Sequence, residues 1–231
     1  MNITQRLLQL DPTLQMHNEG EWSGTNSLYS AFNDAGVECE TGEFLYSLVR
    51  LMKPDRILET GTHQGIGASY MGLALLDNNN RGTIDTVEFL QPHFDTANER
   101  FNRIGIKNIV ANYLMDVKNY KPTTFNLGND IYDIILLDTE PQTRFAELVK
   151  FYPYLKEGGF IFIHDLHRHM GQMPNTEHGF AWPWGLVPAE MHKLVKQGKL
   201  RPFHFTTPRG LTGFYKVSKE DFIWPKTQSN Q

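Results

Sequence analysis

Cysteine is almost absent from this 231-residue chain. With Cys39 alone, no disulfide can close within it, and the thiol reads as a small structural group in a reducing compartment. Long apolar runs are missing too: nothing is apolar for long enough to span a bilayer, and the N-terminal MNITQRLLQLDPTLQ lacks the basic flank and apolar core of a signal peptide. A soluble, cytoplasmic protein with no membrane partner is expected. Nor is there an excess of positive charge. Against 26 Asp and Glu stand 22 Lys and Arg, a formal net charge of -4, so no general basic field draws nucleic acid and no nucleic-acid partner is expected. There is no internal repeat, and the Asn78-Asn79-Asn80 run is too short to be low complexity.

What is present is an alternation of short β-rich runs with helical periodicity, in a chain that is 40% hydrophobic. That pattern predicts one α/β domain over 1–231, doubly wound and Rossmann-like, with helices on both faces of the sheet. Its expected parts are an N-terminal helix and lid segment (1–43), a cofactor-binding core (44–217) containing an active-site loop (166–190), and a tail (218–231). Ile3, Leu7, Leu8 and Leu10 predict a first helix closed by Asp11-Pro12; the polar, glycine-punctuated stretch after it reads as a loop or lid. Phe44, Leu45, Leu48, Leu51 and Met52 predict one side of a second helix, stopped by Pro54 before the strand RILET. Strands are then expected in TIDTVEF, NIVANYLMD, YDIILLDTE and EGGFIFIHD. Helices are expected around Ala68–Leu75, in QPHFDTANERFNRIG and in TRFAELVKFYPYL, with Gly158-Gly159 as the stop of the last. PAEMHKLVKQG reads as a short helix, and RPFHFTTP with LTGFYKV as a closing antiparallel hairpin.

The chemistry begins in ILETGTHQGIG, Ile57 to Gly67. A glycine turn between a strand and a helix lets backbone amides approach a ligand, and the helix N-terminus adds a partial positive charge. Dinucleotides and S-adenosylmethionine both use that arrangement. Here the spacing is Gly61-x-x-x-Gly65-x-Gly67, not the G-x-G-x-x-G of a dinucleotide fingerprint. Glu59 beside the turn suits the cationic amino-acid end of S-adenosylmethionine better than a pyrophosphate, and Glu88, ending the next strand, is placed to accept from ribose hydroxyls.

Those residues resemble the class I S-adenosylmethionine-dependent methyltransferases from about Phe44 to Val217. GEFLYSLVRLMKPDRILETGTHQGIGASYMGLAL is similar to the opening of the catechol and caffeoyl-CoA O-methyltransferase group, and FIFIHDLHRH to a segment of sugar and macrolide O-methyltransferases. The resemblance implies a seven-stranded mixed sheet whose last strand is antiparallel. It also implies cofactor contacts from Glu59, Gly61, Thr62, Gly65, Gly67, Glu88, Phe89, Asp116 and Asp138, with Phe89 flanking adenine and Asp116 by its amino group.

Methyl transfer to oxygen requires in-line alignment and removal of the acceptor proton. In the metal-dependent members a divalent ion, Mg2+ or another, is held by acids at the fourth and fifth strand ends. Asp138 and Asp165 stand there, with His164 as a third ligand and Glu140, His167 and His169 nearby, although Leu166 replaces the asparagine ligand of catechol-type enzymes. The expected catalytic set is His167 as base with Asp165 and Asp138. Trp22, Trp182, Trp184 and His169, with Phe180, are expected to line the acceptor pocket. Three readings follow from the residues: a small-molecule O-methyltransferase, with an N-acceptor as a variant, possible metal assistance and dimerisation; a nicotinamide-dependent oxidoreductase, disfavoured by the glycine spacing; and a noncatalytic nucleoside-binding module.

Overall fold

The structure, a computed structural model, describes residues 1–19, 29–32, 36–79, 82–123, 130–140, 142–165, 187–205 and 209–218. Helix α1 (Ile3–Leu10) starts where Asn2 and Gln5 exchange side-chain and backbone hydrogen bonds in a capping box, and it stops at Asp11 before Pro12. The stretch expected to be irregular contains two short strands, β1 (His17–Glu19) and β2 (Tyr29–Ala31), paired antiparallel. Polar residues and glycine had hidden that pair, which is too short for its alternation to show. Helix α2 (Cys39–Met52) buries Cys39, Leu45 and Val49 and ends at left-handed Lys53, just before Pro54. Leu51, placed by periodicity on the packed side, is instead 80% exposed.

Seven further strands form one sheet in the order β5-β4-β3-β6-β7-β9-β8. They are β3 (Arg56–Thr60), β4 (Thr83–Glu88), β5 (Val110–Leu114), β6 (Tyr132–Leu137), β7 (Leu155–His164), β8 (Leu200–Phe205) and β9 (Leu211–Lys216). The first five are mutually parallel; β9 runs antiparallel between β7 and β8, as the hairpin reading required. Helices α3 (Ile66–Asp77), α4 (Gln91–Arg103), α5 (Arg144–Phe151) and α6 (Ala189–Lys196) complete the described elements. The segment 143–155 is shorter as a helix than its periodicity suggested: Pro153 follows α5 in a 3-10 turn, Tyr152–Tyr154. Gly158-Gly159 lies inside β7, not at a helix stop, where the register against β6 shifts between Tyr132 and Ile134.

Successive strand residues serve opposite faces, the period-two rule of an extended chain. Ile57, Ile134, Leu136 and Phe162 enter a core with α1 to α4, while Leu58, Ile135, Leu137, Ile161 and Ile163 enter a second with α5 and α6. Both faces are therefore covered, which is why these strands read as continuous apolar runs. The chain moves outward from β3 through β4 to β5, then returns to β6 on the other side of β3. The crevice beyond the C-terminal ends of β3 and β6 is thus a topological switch point, where sheets of this kind place their ligands.

Candidate functional site

At the end of β3 the chain turns through Gly61, at φ +79°. A Cβ there would collide with the carbonyl oxygen of Asp138, the first residue beyond β6, so glycine is required both by the left-handed backbone and by the close approach. The amides of Gly61 and Thr62 donate to the Val87 carbonyl at 2.9 and 3.2 Å, and Gly65 precedes α3 as its N-cap. Glu59 lies beneath this turn. A Cβ on Gly67 would strike its carboxyl group, the Ala68 amide donates to it, and Thr86 Oγ1 donates to its Oε2 at 2.6 Å; Thr86 meets the Thr62 hydroxyl at 2.6 Å. Burial, only partly offset by Thr86 and reinforced by the charge of Asp138, pushes the Glu59 pKa up to about 8. Its carboxyl braces the turn. Glu59 and Thr62 stand beneath the turn, behind the residues that line the cleft.

Glu88 closes β4 as a receptor for main-chain donors. Its Oε2 accepts from the His63 amide at 2.6 Å, and Oε1 from the amides of Phe89 and Leu90 at 2.9 and 2.7 Å. His63, itself at φ +47°, stacks edge-on against His93 with centroids 4.0 Å apart, and burial together with His93 lowers its pKa. Above these groups is a cleft of about 580 Å³ lined by Gly61, Glu88, Phe89, Asp116, Asp138 and Asp165 among others. Phe89 is 68% exposed, with Leu90 and Met115 also open on the same wall. Sequence reading missed His63, His93, Leu90 and Met115; their proximity depends on how β4 and the glycine turn meet.

The other wall holds a cluster of ionised side chains. Asp138 follows β6, and Asp165 follows β7 with a left-handed backbone, φ +56°. Between them, His164 Nδ1 lies 2.9 Å from Asp138 Oδ1 and Nε2 lies 2.6 Å from Glu38 Oε2, at the N-cap of α2. Burial opposes a charge on this fully buried ring, yet Asp138, Asp165 and Glu38 together outweigh it and raise its pKa to about 10. Both ring nitrogens of His164 thus lie against carboxylates, which favour its charged form. Arg144 is buried; its Nη2 reaches Asp138 Oδ1 and Asp165 Oδ2, both at 3.2 Å, and it also donates to the carbonyls of Thr139 and His164. Arg209, just before β9, donates from Nη2 to Asp165 Oδ2 at 2.8 Å, with Nε 2.7 Å from Oδ1 as an ion-pair contact, and it donates to the Gly36 carbonyl. Burial raises the pKa of Asp165, but His164, Arg209 and Arg144 prevail and hold it well below the carboxylate range.

Residues 58–166 match the family described as methyltransferase domain. That stretch of the chain resembles a methyltransferase domain. It is 27% identical over 161 residues to a protein of Mycobacterium ulcerans (strain Agy99) named for an inferred O-methyltransferase activity, a match covering 65% of this chain and 68% of that one. Two solved structures share its fold. The O-methyltransferase TomG of Streptomyces achromogenes, involved in tomaymycin synthesis and solved with SAM, superposes with a TM-score of 0.66 at 19% identity over 81% of this chain and 84% of its own. An O-methyltransferase of Bacillus cereus, in complex with SAH, gives 0.64 at 19% identity over 80% and 84%. The mixed seven-stranded sheet with its antiparallel closing strand is thus the fold these two structures share.

Within that domain, ligand atoms of Asp138, His164 and Asp165 lie within 4.8 Å of one another, as a metal centre would need. Their chemistry does not suit one. Both nitrogens of His164 already face carboxylates, Arg144 Nη2 stands between the two aspartates, and Arg209 lies against Asp165, so positive charge from side chains is already in place there. Expected residues His167, His169, Trp22, Trp182, Trp184 and Phe180, with Leu166, lie outside the described residues. Cys39 is buried, and burial pushes its thiol up to about 11, in keeping with a structural role. Among the described residues no helix is long and apolar enough to cross a membrane.

Proposed function

We propose that the protein transfers a methyl group from S-adenosylmethionine to a hydroxyl of a small molecule. The observation that carries this reading is one cleft with two dissimilar walls at the switch point. Gly61, Glu88, Phe89 and Asp116 lie on one side, and the charged ends of β6 and β7 on the other. Glu88, its carboxylate ordered by three amides, accepts from the ribose hydroxyls. The exposed Phe89 ring, with Leu90 and Met115, receives the adenine, and Asp116 meets its amino group. Glu59, Gly65 and Gly67 act on the cofactor through the turn they brace, and Thr62 through the hydrogen bonds beneath it.

The sulfonium then points across the crevice, toward Asp138 and Asp165. In the transfer, the acceptor oxygen forms the C–O bond as the C–S bond breaks, its electron pair stays on sulfur, and the hydroxyl proton passes to a base. Asp138, one-tenth exposed and lining the cleft, takes that proton within the described residues; His167 is the candidate beyond them. A divalent ion on Asp138, His164 and Asp165 does not enter this reading, because both aspartates already face guanidinium groups and His164 lies between carboxylates. Sugar, phenol and polyketide hydroxyls are the acceptor classes to try, with Trp22, Trp182, Trp184 and His169 as the candidate pocket. A cytoplasmic homodimer without nucleic-acid or membrane partners completes the proposal.

Calorimetric titration of the folded protein with S-adenosylhomocysteine, beside NADH, tests it. Saturable binding of the first alone is expected. Binding of NADH alone would return the cleft to the oxidoreductase reading, and binding of neither would remove the methyl donor from the account.

A further inference from the structure

We propose that Arg144 and Arg209 occupy, as a fixed part of the fold, the place that a divalent ion would take between the ends of β6 and β7. The inference rests on the methyl-transfer reading for its chemical meaning, and on the charged cluster for its evidence. Glu38, Asp138 and Asp165 face Arg144, His164 and Arg209, and the six are buried or nearly so. The two guanidinium groups already bring permanent positive charge to the aspartates, in a region where burial makes unbalanced charge costly.

Position argues the same way. Arg144 Nη2 bridges the two aspartates at equal 3.2 Å distances, a bridging position like the one an ion shared by Asp138 and Asp165 would occupy. It cannot swing aside cheaply, because its remaining donors hold the carbonyls of Thr139 and His164, at the very strand ends that carry the acids. Arg209 is fixed in turn by its Nη2 hydrogen bond and Nε ion pair to Asp165 and by the Gly36 carbonyl from the N-terminal segment. His164 contributes no lone pair, since its ring is clamped between Glu38 and Asp138.

Both arginines line the cleft. Guanidinium charge therefore reaches the space where an acceptor oxygen would develop negative character, and it does so without the exchange of ligands a metal requires. The cluster supplies positive charge as a permanent side-chain arrangement, whereas a metal site supplies it only when loaded.

The test uses the full chain after treatment with a chelator, titrated with Mn2+ while the free-ion signal is followed by electron paramagnetic resonance. The expected result is that the parent protein removes no more Mn2+ from solution than the Asp165→Asn protein does. Binding of one Mn2+ per chain by the parent, lost in Asp165→Asn, would overturn the proposal. S-adenosylhomocysteine is titrated into the same samples. If it fails to bind, the methyl-transfer reading falls while the manganese result still decides what occupies the cluster.

Discussion

On the β3–β4 side of the cleft the groups facing a ligand are main-chain amides, a carboxylate ordered by them and open apolar side chains. On the β6–β7 side they are charged side chains, nearly all buried, whose partners come from residues 38, 138, 144, 164, 165 and 209. The first wall is made by the neighbouring ends of β3, β4 and β5 and is ordered by main-chain donors. The second is assembled from five separate parts of the sequence through ionic side chains. Backbone geometry at adjacent strand ends shapes one half of the cleft, and long-range charge pairing shapes the other.

Breaking the charged wall should have the largest effect. His164→Ala leaves Glu38 and Asp138 without the cation between them, and removing one partner of a buried ion pair costs about 3–5 kcal/mol. Urea unfolding should show that loss; a change below about 1 kcal/mol, the scale of an exposed pair, would mean the cluster is not as dry as its burial indicates. The same contribution can be titrated away. Because His164 is raised from 6.5 to about 10, its stabilisation is complete below pH 6.5 and disappears as pH rises through about 10. The parent's melting temperature should decline across that window, and the His164→Ala profile should be flatter.

Breaking the backbone-built wall should cost less stability and more affinity. Glu88→Ala removes the acceptor for three amides as well as for the ribose, so S-adenosylhomocysteine should bind about tenfold or more weakly, with some loss of melting temperature. Unchanged affinity would withdraw the ribose role. Phe89→Ala is the mildest: an aromatic contact is worth about 0.5–1.5 kcal/mol, a loss of about two- to tenfold in affinity. Since the ring is 68% exposed, melting should not move. If it does, Phe89 packs against protein, and the apolar wall belongs to the core.

This division also explains what could be read from sequence. Gly61, Glu88, Phe89 and Asp116 follow strand ends, and strand ends are visible as breaks in apolar runs; all four line the cleft. The sheet was legible for the same reason, down to the antiparallel hairpin. Arg144 and Arg209 were not, because nothing in TRFAEL or TPRGLT marks an arginine as buried until the acids it neutralises have been placed. Glu59 stands where the motif puts it. The motif shows a carboxyl beside the turn, and only the fold shows its burial against Gly67 and Ala68, which raises its pKa. The β1–β2 pair escaped because three-residue strands carry too little alternation to be seen.

The family match ends at 166 and begins at 58, yet two members of the charged cluster, Glu38 and Arg209, lie outside those limits. A chimera that transplanted only the matched stretch into a related scaffold would carry His164 and Asp165 without their outer counter-ions. The amide-ordered wall would travel intact, whereas the charged wall would have to be rebuilt by the host. Moving that half of the cleft between such proteins therefore calls for moving residues 36–38 and 209 together with the strand ends they contact.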